Sequence, residues 1–588
     1  MIKDIKDPLF LKCKEYQKEV TGAIRLFFPE WKYKSLFFSW EGVQTAEERK
    51  TICRFLEENG FSGVILSPLS SLPDLPPEEN KSFLRQGLLL TGNEKEEDLL
   101  QLKTIREEWE RKNESELFLA GTPAVRCPED NWEEKEAFTR NLMELGFDFS
   151  LCGKYSRNSM DPLLRPDFFT VYPMVLRDGN KEEALARLTK YLTTNYFQSP
   201  LTCCRIHTVC GRAPLLPCEE CLALLRQKKE ELYLPTTAQL REYLSAWKIL
   251  RSTADGKKVQ NMASTELFLE AGNIPLKLAP GATLTQHGGG EEKISLEITA
   301  PEKIPYMDSM PEERYTDAPN GTFFYPGGKA KAVTFSYDDG PRTDIKLIEI
   351  LDKYGLKGTF NLNGNGVITK MQIWDDWNLE IYRNHEIATH NFRHISFSVH
   401  TKEQILTEMY WDRRVLETLS ERFITGHAYA SSALAGAVQT AQDALKALGI
   451  TYARVTSPSG ENFALPRKWL YWEPCCHHSQ QGDLLEKGEN FLKTDEQKMH
   501  LMLVWGHVTE LDRDNTYGMM EEFCKRMAEC KERIFFATNG EIADYLQACE
   551  RCRNSGNGKS IKNTSFTTLF AAKEGKILPI APGETLIF

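Results

Sequence analysis

Short apolar runs alternate along the chain with stretches whose apolar residues recur at helical spacing. Residues 331–337 predict a strand that ends at a turn. Residues 345–354 predict an amphipathic helix, Gly355 stops it, and residues 359–362 predict the next strand. Residues 450–453 and 501–505 read as further strands. Residues 561–588 combine a turn rich in Lys and Asn with short strands, which predicts an antiparallel appendage. Short strands alternating with helices imply parallel β–α units, and about 250 residues of them make a barrel.

The pattern occurs twice. Tyr243-Leu244, Gly256-Lys257, Asn261 and Ala279-Pro280-Gly281 return, each 302 positions later, as Tyr545-Leu546, Gly558-Lys559, Asn563 and Ala581-Pro582-Gly583. Upstream, Phe28-Pro29, Lys32, Lys34 and Phe38-Ser39 match Tyr325-Pro326, Lys329, Lys331 and Phe335-Ser336 at an offset of 297. Leu145-Gly146 matches Leu448-Gly449, and Phe118 with Gly121 matches Phe423 with Gly426. The expected organisation is a first barrel at 1–286, a linker and leading strand at 287–323 around Gly288-Gly289-Gly290 and several prolines, and a second barrel at 324–588.

Composition narrows the function. At ~150 residues per domain, 588 residues suggest about four domains, and the repeat replaces that reading with two halves. The chain is 41% apolar and 11% aromatic, which excludes disorder and collagen-like repeats. No stretch reaches the ~18 to 20 apolar residues of a membrane span. A net charge of −11 with no basic block argues against nucleic acid and anionic membrane as partners. The opening Met1-Ile2-Lys3-Asp4-Ile5-Lys6-Asp7 lacks the apolar core of a secretory signal. With 15 cysteines, an odd number, the expectation is reduced thiols in a cytoplasm. Nothing in the sequence fixes an oligomeric state.

Histidine divides the halves. Only His207 and His287 precede residue 300; His385, His390, His394, His400, His427, His477, His478, His500 and His507 follow it. One half therefore carries the candidate metal or acid–base chemistry. Thr334-Phe335-Ser336-Tyr337-Asp338-Asp339-Gly340-Pro341 ends a predicted strand, where barrels place catalytic groups. Two adjacent carboxylates repel, which points to a cation or a divided role; a turn capping the following helix is the alternative. His390 and His394, four residues apart, would face one way on a helical turn and could share an ion, or could be two surface histidines. One Asp and two His form a three-ligand set with open positions. It suits zinc, and also cobalt, nickel, iron or manganese.

Together these motifs resemble the NodB-homology polysaccharide deacetylases, carbohydrate esterase family four. The hallmarks of that family are Thr-Phe-Asp-Asp-Gly-Pro and, downstream, His-(Ser/Thr)-x-x-His. Here Ser336-Tyr337 stand before the Asp pair, and Asn391 replaces Ser or Thr. The resemblance runs from about Phe324 to the end. It implies two tandem distorted (β/α) barrels, one divalent metal, and hydrolytic removal of acetyl groups from a saccharide, N-acetyl favoured. It assigns Asp338 as general base, Asp339, His390 and His394 as metal ligands, and His507, after Val504-Trp505-Gly506, as the acid that protonates the leaving amine. The family's Arg-x-Pro-Tyr-like motif is absent from 426–432. Arg454 could replace its charge, and His427, Tyr429, His477 and His478 are candidate substrate contacts. A second metal at Cys475-Cys476-His477-His478 is disfavoured, because consecutive residues do not all aim at one point. A cyclic amide or ureide hydrolase on the same barrel, and a non-catalytic carbohydrate-binding protein, are the other readings.

In the first half, Phe38-Ser39-Trp40-Glu41-Gly42 stands where the Asp pair should be. Gly92 and Glu96 stand opposite His390 and His394, and only His207, near the His507 position, persists. The expectation is a copy without the metal site. Cys203, Cys204, Cys210, Cys218 and Cys221 lack the paired spacing of structural zinc and read as reduced thiols. The Cys549–Cys552 pair is expected on a helix, with no partner pair.

Overall fold

The computed structural model describes residues 24–43, 45–68, 84–90, 215–289, 292–301 and 313–588, except 369–378, 398–399, 431–437, 459–462, 480–483 and 556–557. It also describes a set of strands and helical segments within 104–209. In the first half, seven parallel strands follow one another: Lys34–Glu41, Gly63–Pro68, Leu84–Leu90, Phe118–Gly121, Phe149–Leu151, Phe169–Val175 and Thr202–Val209. The last pairs with the first, which also pairs with the second, so the sheet closes on itself.

The second half holds a curled parallel sheet of β1 (Lys331–Asp338), β2 (Gly358–Leu362), β3 (Glu386–Thr389), β4 (Gly426–Ala428), β5 (Tyr452–Arg454), β6 (Cys476–His477), β7 (His500–Gly506) and β8 (Ile534–Phe536). The order is β5-β4-β3-β2-β1-β7-β6. Along one edge of β1, residues 331–333 pair with β8 and residues 335–338 with β2.

All eight residues of β1 are buried, and its two faces differ. Val333, Phe335 and Tyr337 pack with Leu347, Ile348 and Leu351 of helix α1 (Asp344–Tyr354). Burying each such aliphatic side chain stabilises the fold by roughly 1.5–3 kcal/mol. Thr334, Ser336 and Asp338 point the other way, as strand alternation requires, and meet Asn539, Arg454 and Asn361. Gly355 ends α1 at φ 68°, and its N–H returns to Leu351 and Asp352. Helix α2 (Lys402–Ser420) begins with a capping box of Thr401 and Gln404.

The appendages carry corresponding hydrogen bonds, their residues 302 positions apart except Phe27 and Phe324, which are 297 apart. Tyr243 Oη donates to Phe27 O and accepts from Phe268 N; Tyr545 Oη donates to Phe324 O and accepts from Phe570 N. Asn261 holds the carbonyls of Thr265 and Leu278, and Asn563 those of Thr567 and Ile580. The halves meet through this same region. Ala263 and Ser565 form an antiparallel bridge. Ser264 N donates to Thr564 O (3.0 Å), and Phe566 N donates to Met262 O (3.2 Å). Ala263 and Ser565 are each other's counterparts, and the two hydrogen bonds are counterparts of one another, so the contact has the reciprocal form of a two-fold interface. Ion pairs Arg251–Asp544 (2.6 Å) and Lys562–Glu242 (2.9 Å) flank it.

Part of the segment expected as a linker and leading strand is strand among the described residues. Residues Thr283–Gly289 and Glu292–Thr299 form a hairpin on the first appendage, with a bulge between His287 and Gly289. Gly288, at φ 75°, sits at the bulge. Arg314–Tyr315 and Phe323–Phe324 already belong to the second appendage. Among the described residues no helix is long and apolar enough to cross a membrane.

Candidate active site

The site lies at the carboxyl ends of β1, β3 and β7. Asp338 closes β1, and Asp339 leaves it at φ 76°, followed by Gly340 at φ 62°. A continuing strand would send Asp339 to the opposite face. The left-handed step, which Asp tolerates better than most residues, breaks the alternation and brings both carboxylates to one site.

Asp338 is 2% exposed and lies in a polar network. Arg454 Nη2 reaches Oδ1 and Oδ2 at 2.5 and 2.6 Å, and Arg454 Nε donates to Ser336 Oγ at 3.0 Å. Asn361, opposite Asp338 in the β1–β2 register, donates to Asp338 Oδ1 at 2.8 Å. The guanidinium also lies over the Trp505 ring, 4.7 Å from its centroid. Burial pushes the Asp338 carboxyl up, but Arg454, with His390 and His507, outweighs it and holds the group below the usual carboxylate range.

Asp339, His390 and His394 bring one donor atom each within 4.8 Å of one another. His394 Nε2 is 3.3 Å and His390 Nε2 3.6 Å from Asp339 Oδ1. In a tetrahedral site with ~2.1 Å bonds, neighbouring donors stand about 3.4 Å apart, so the set fits a divalent ion. His390 Nδ1 donates to Ala428 O (2.8 Å), which leaves Nε2 free to coordinate. Burial pushes this imidazole below its ordinary range despite Asp338 and Asp339, and so favours the neutral, ligating form.

The two histidines do not sit on a helical turn, as their spacing predicts. After β3 the chain makes a tight turn with His394 N on Asn391 O (3.3 Å). Asn391 is at φ 65° and His394 at φ 55°. Asn391 is suited to that left-handed position, and its side chain holds Ile395 O at 2.8 Å. Asn363 fixes the carbonyls of His390 (2.6 Å) and Asn391 (2.8 Å). Asp412 of α2, fully buried, takes His390 N at 2.8 Å and Gly364 N at 2.6 Å.

His507 stands across the site, with Nε2 3.9 Å from Asp339 Oδ2 and Nδ1 3.5 Å from Glu510 Oε1. Its interaction with Glu510 raises its proton affinity above the ordinary imidazole value, against burial. His477 and His478 converge on the same glutamate after all: their Nε2 atoms lie 3.0 and 3.6 Å from Glu510 Oε2, with the rings stacked. The close packing needs Gly506, where a Cβ would fall 2.0 Å from His478 Nδ1. His477, His478 and Glu510 thus also bring one donor atom each within 4.8 Å of one another, a second group that could hold an ion. His477 Nδ1 accepts from Ser479 N (3.2 Å), so its proton sits on Nε2 and is given to Glu510.

The five residues expected at the substrate all turn inward. Arg454 and His427 are fully buried, Tyr429 and His478 are 1% exposed and His477 is 3% exposed. Tyr429 Oη is spent on Leu470 O (2.9 Å), and His427 Nδ1 shares a hydrogen bond with Thr389 Oγ1 (2.9 Å). Four residues of the network escaped sequence reasoning: Asn361, Asn363, Asp412 and Glu510. Asn361 had one legible signal, as asparagine is disfavoured within strands.

In the first half, Glu41 closes strand Lys34–Glu41. His207 pairs with Ser39, and the matching residue Ser336 pairs with Trp505, so His207 stands two residues short of the His507 position. Gly92, Glu96 and Cys210 lie outside the described residues. Cys218 and Cys221 are free thiols at the start of helix Glu219–Gln227. Helix Asn539–Glu550 stops before Cys552, so that pair spans the helix end instead of lying within it.

A sequence profile described as polysaccharide deacetylase matches residues 326–453. No curated protein matches the chain. Among solved structures, a Mycobacterium smegmatis protein described as a polysaccharide deacetylase is 16% identical, with 40% of this chain and 96% of that one covered at a TM-score of 0.30. The Bacillus subtilis peptidoglycan deacetylase PdaC is 13% identical, with 38% and 96% covered at 0.25. A Clostridium thermocellum acetyl xylan esterase solved with a cobalt ion is 13% identical, with 36% and 89% covered at 0.24.

Proposed function

Residues 326–453 being a polysaccharide deacetylase domain, we propose that the second half of the chain is a divalent-metal-dependent hydrolase. It removes acetyl groups, N-acetyl in preference, from a saccharide and releases acetate. Asp339, His390 and His394 would hold the metal, zinc or a similar ion, which when bound acidifies water and polarises an acyl carbonyl. The reading rests most on one observation. Asp338, buried and paired with Arg454, lies 3.9 Å from the candidate ligand His390, and His507 lies 3.9 Å from the candidate ligand Asp339.

Two groups with opposite proton affinities divide the acid–base work. Asp338, kept anionic, takes the proton of the attacking water. His507, whose proton affinity Glu510 raises, gives one to the departing nitrogen. Asn361 and Arg454 fix the carboxylate, and Glu510 fixes the imidazole. Because Arg454 comes from β5, it supports the base without the absent Arg-x-Pro-Tyr-like motif.

The proposal extends to the first half, residues 1–286, as a second copy of the barrel that has lost the metal site. The repeated tyrosine and asparagine hydrogen bonds support this, and so does the single Glu41 at the end of its first strand.

Acetate release across N-acetylated oligosaccharides, acetylxylan and cyclic amides tests the activity and sorts its substrates. Asp338→Asn should abolish release while metal content stays at the wild-type level. Undiminished release from that variant refutes the assignment of the base.

A further inference from the structure

Helix α2 has two gripping surfaces on adjacent stripes. One faces the site: Asp412 holds the backbone N–H of His390 and Gly364, and Glu408 accepts from Arg393 N (2.9 Å) and Nε (2.6 Å). The other faces the first half. There, strands Arg251–Ser252 and Lys258–Gln260 form a hairpin whose turn rests on the helix. Arg413 donates to Ser252 O, and Glu417 Oε2 accepts from Ala254 N at 2.7 Å. Arg414 pairs with Asp255 (3.3 Å), and Lys258 Nζ donates to Glu421 O (2.8 Å), the C-cap of α2. Arg413 and Glu417 are themselves a buried pair at 2.9 Å.

Asp412 and Arg413 are consecutive, so the helix cannot shift at one surface without shifting at the other. We propose that the first half is a positioning scaffold for the metal site. Its 251–258 hairpin clamps α2, and through Asp412 it sets the main chain of His390. Asp412 is thus a positioning residue. This rests on the reading of His390 as a metal ligand. It gives the half without a metal site a task in the chemistry of the other. Outer contacts of this kind commonly change metal affinity by ~10- to 100-fold.

The test uses the full chain and titrates Co(II) alone, read by its visible absorption bands and by competition with a chelator. Three variants are compared: Asp255→Lys with Lys258→Glu, which repels Arg414 and frees Glu421; Asp412→Asn; and all three changes together. Each of the first two should weaken Co(II) binding about tenfold or more and alter the band shape. The combined variant should be no weaker than Asp412→Asn, because both act along one path. The proposal is overturned by a hairpin variant within twofold of wild type, or by a combined loss equal to the product of the separate losses. A wild-type chain that binds no Co(II) overturns the metal-site reading itself, and so separates the two failures.

Discussion

Arg454→Met removes the guanidinium that pairs with Asp338 in its buried site. With charge centres roughly 4 Å apart and an effective dielectric of ~20, the lost attraction is about 4 kcal/mol. That agrees with the ~3–5 kcal/mol typical of breaking a buried pair from one side. Burial then dominates, and the carboxyl moves from below its usual range to above it. Two consequences follow. The acid limb of the kcat/KM profile moves to higher pH, because the base must now lose a proton that wild type has already shed. At neutral pH the rate falls by ~10²- to 10⁴-fold, the usual worth of a general base. The variant is also destabilised most at high pH and recovers as pH falls, since protonation discharges the stranded carboxylate. Steady-state acetate release from pH 5 to 9, with thermal melts across the same range, reads both effects. An unmoved acid limb with kcat within about threefold of wild type would refute the claim that Arg454 keeps the base ionised.

Three further outcomes are expected. Glu510→Gln removes the largest influence raising the proton affinity of His507, so the basic limb of the pH–rate profile should move to lower pH while metal content stays unchanged. Asn361→Leu strips donors from Ser336, the Tyr337 carbonyl and Asp338; the melting free energy should fall by about 1–3 kcal/mol, and kcat should fall more than KM rises. Glu386 accepts from Gly540 N and Thr359 Oγ1, and burial pushes its carboxyl up to about 7. Its protonated form is favoured in the folded state, so stability declines as pH rises from about 4.5 to 7. Glu386→Gln should remove that decline, worth up to about 3 kcal/mol, in melts at pH 5 and pH 8.

The strand and helix around the Asp pair were legible because periodicity and Gly355 mark them locally. Tyr243 and Tyr545, and Asn261 and Asn563, matched in the sequence, make corresponding hydrogen bonds in the structure. What hid was everything set by register or by backbone conformation. The pairing of Asp338 with Asn361 needs the β1–β2 alignment, and the clustering of Asp339 with His394 needs left-handed steps at both. Spacing alone put His390 and His394 on a helix and denied His477 and His478 a common target. Asp412 and Glu510 carry no local mark, since acidic residues on exposed-looking helices are ordinary. Gly288 read as part of a tether because a bulge and a linker use the same residue for the same freedom at φ > 0.

The account stands or falls on the ligand set. Elemental analysis of the purified full chain, with acetate release measured on the same samples, should find one divalent ion per chain in wild type. Both the ion and the activity should be lost in Asp339→Ala and in His390→Ala, with circular dichroism unchanged. Variants that keep the wild-type metal content would contradict it.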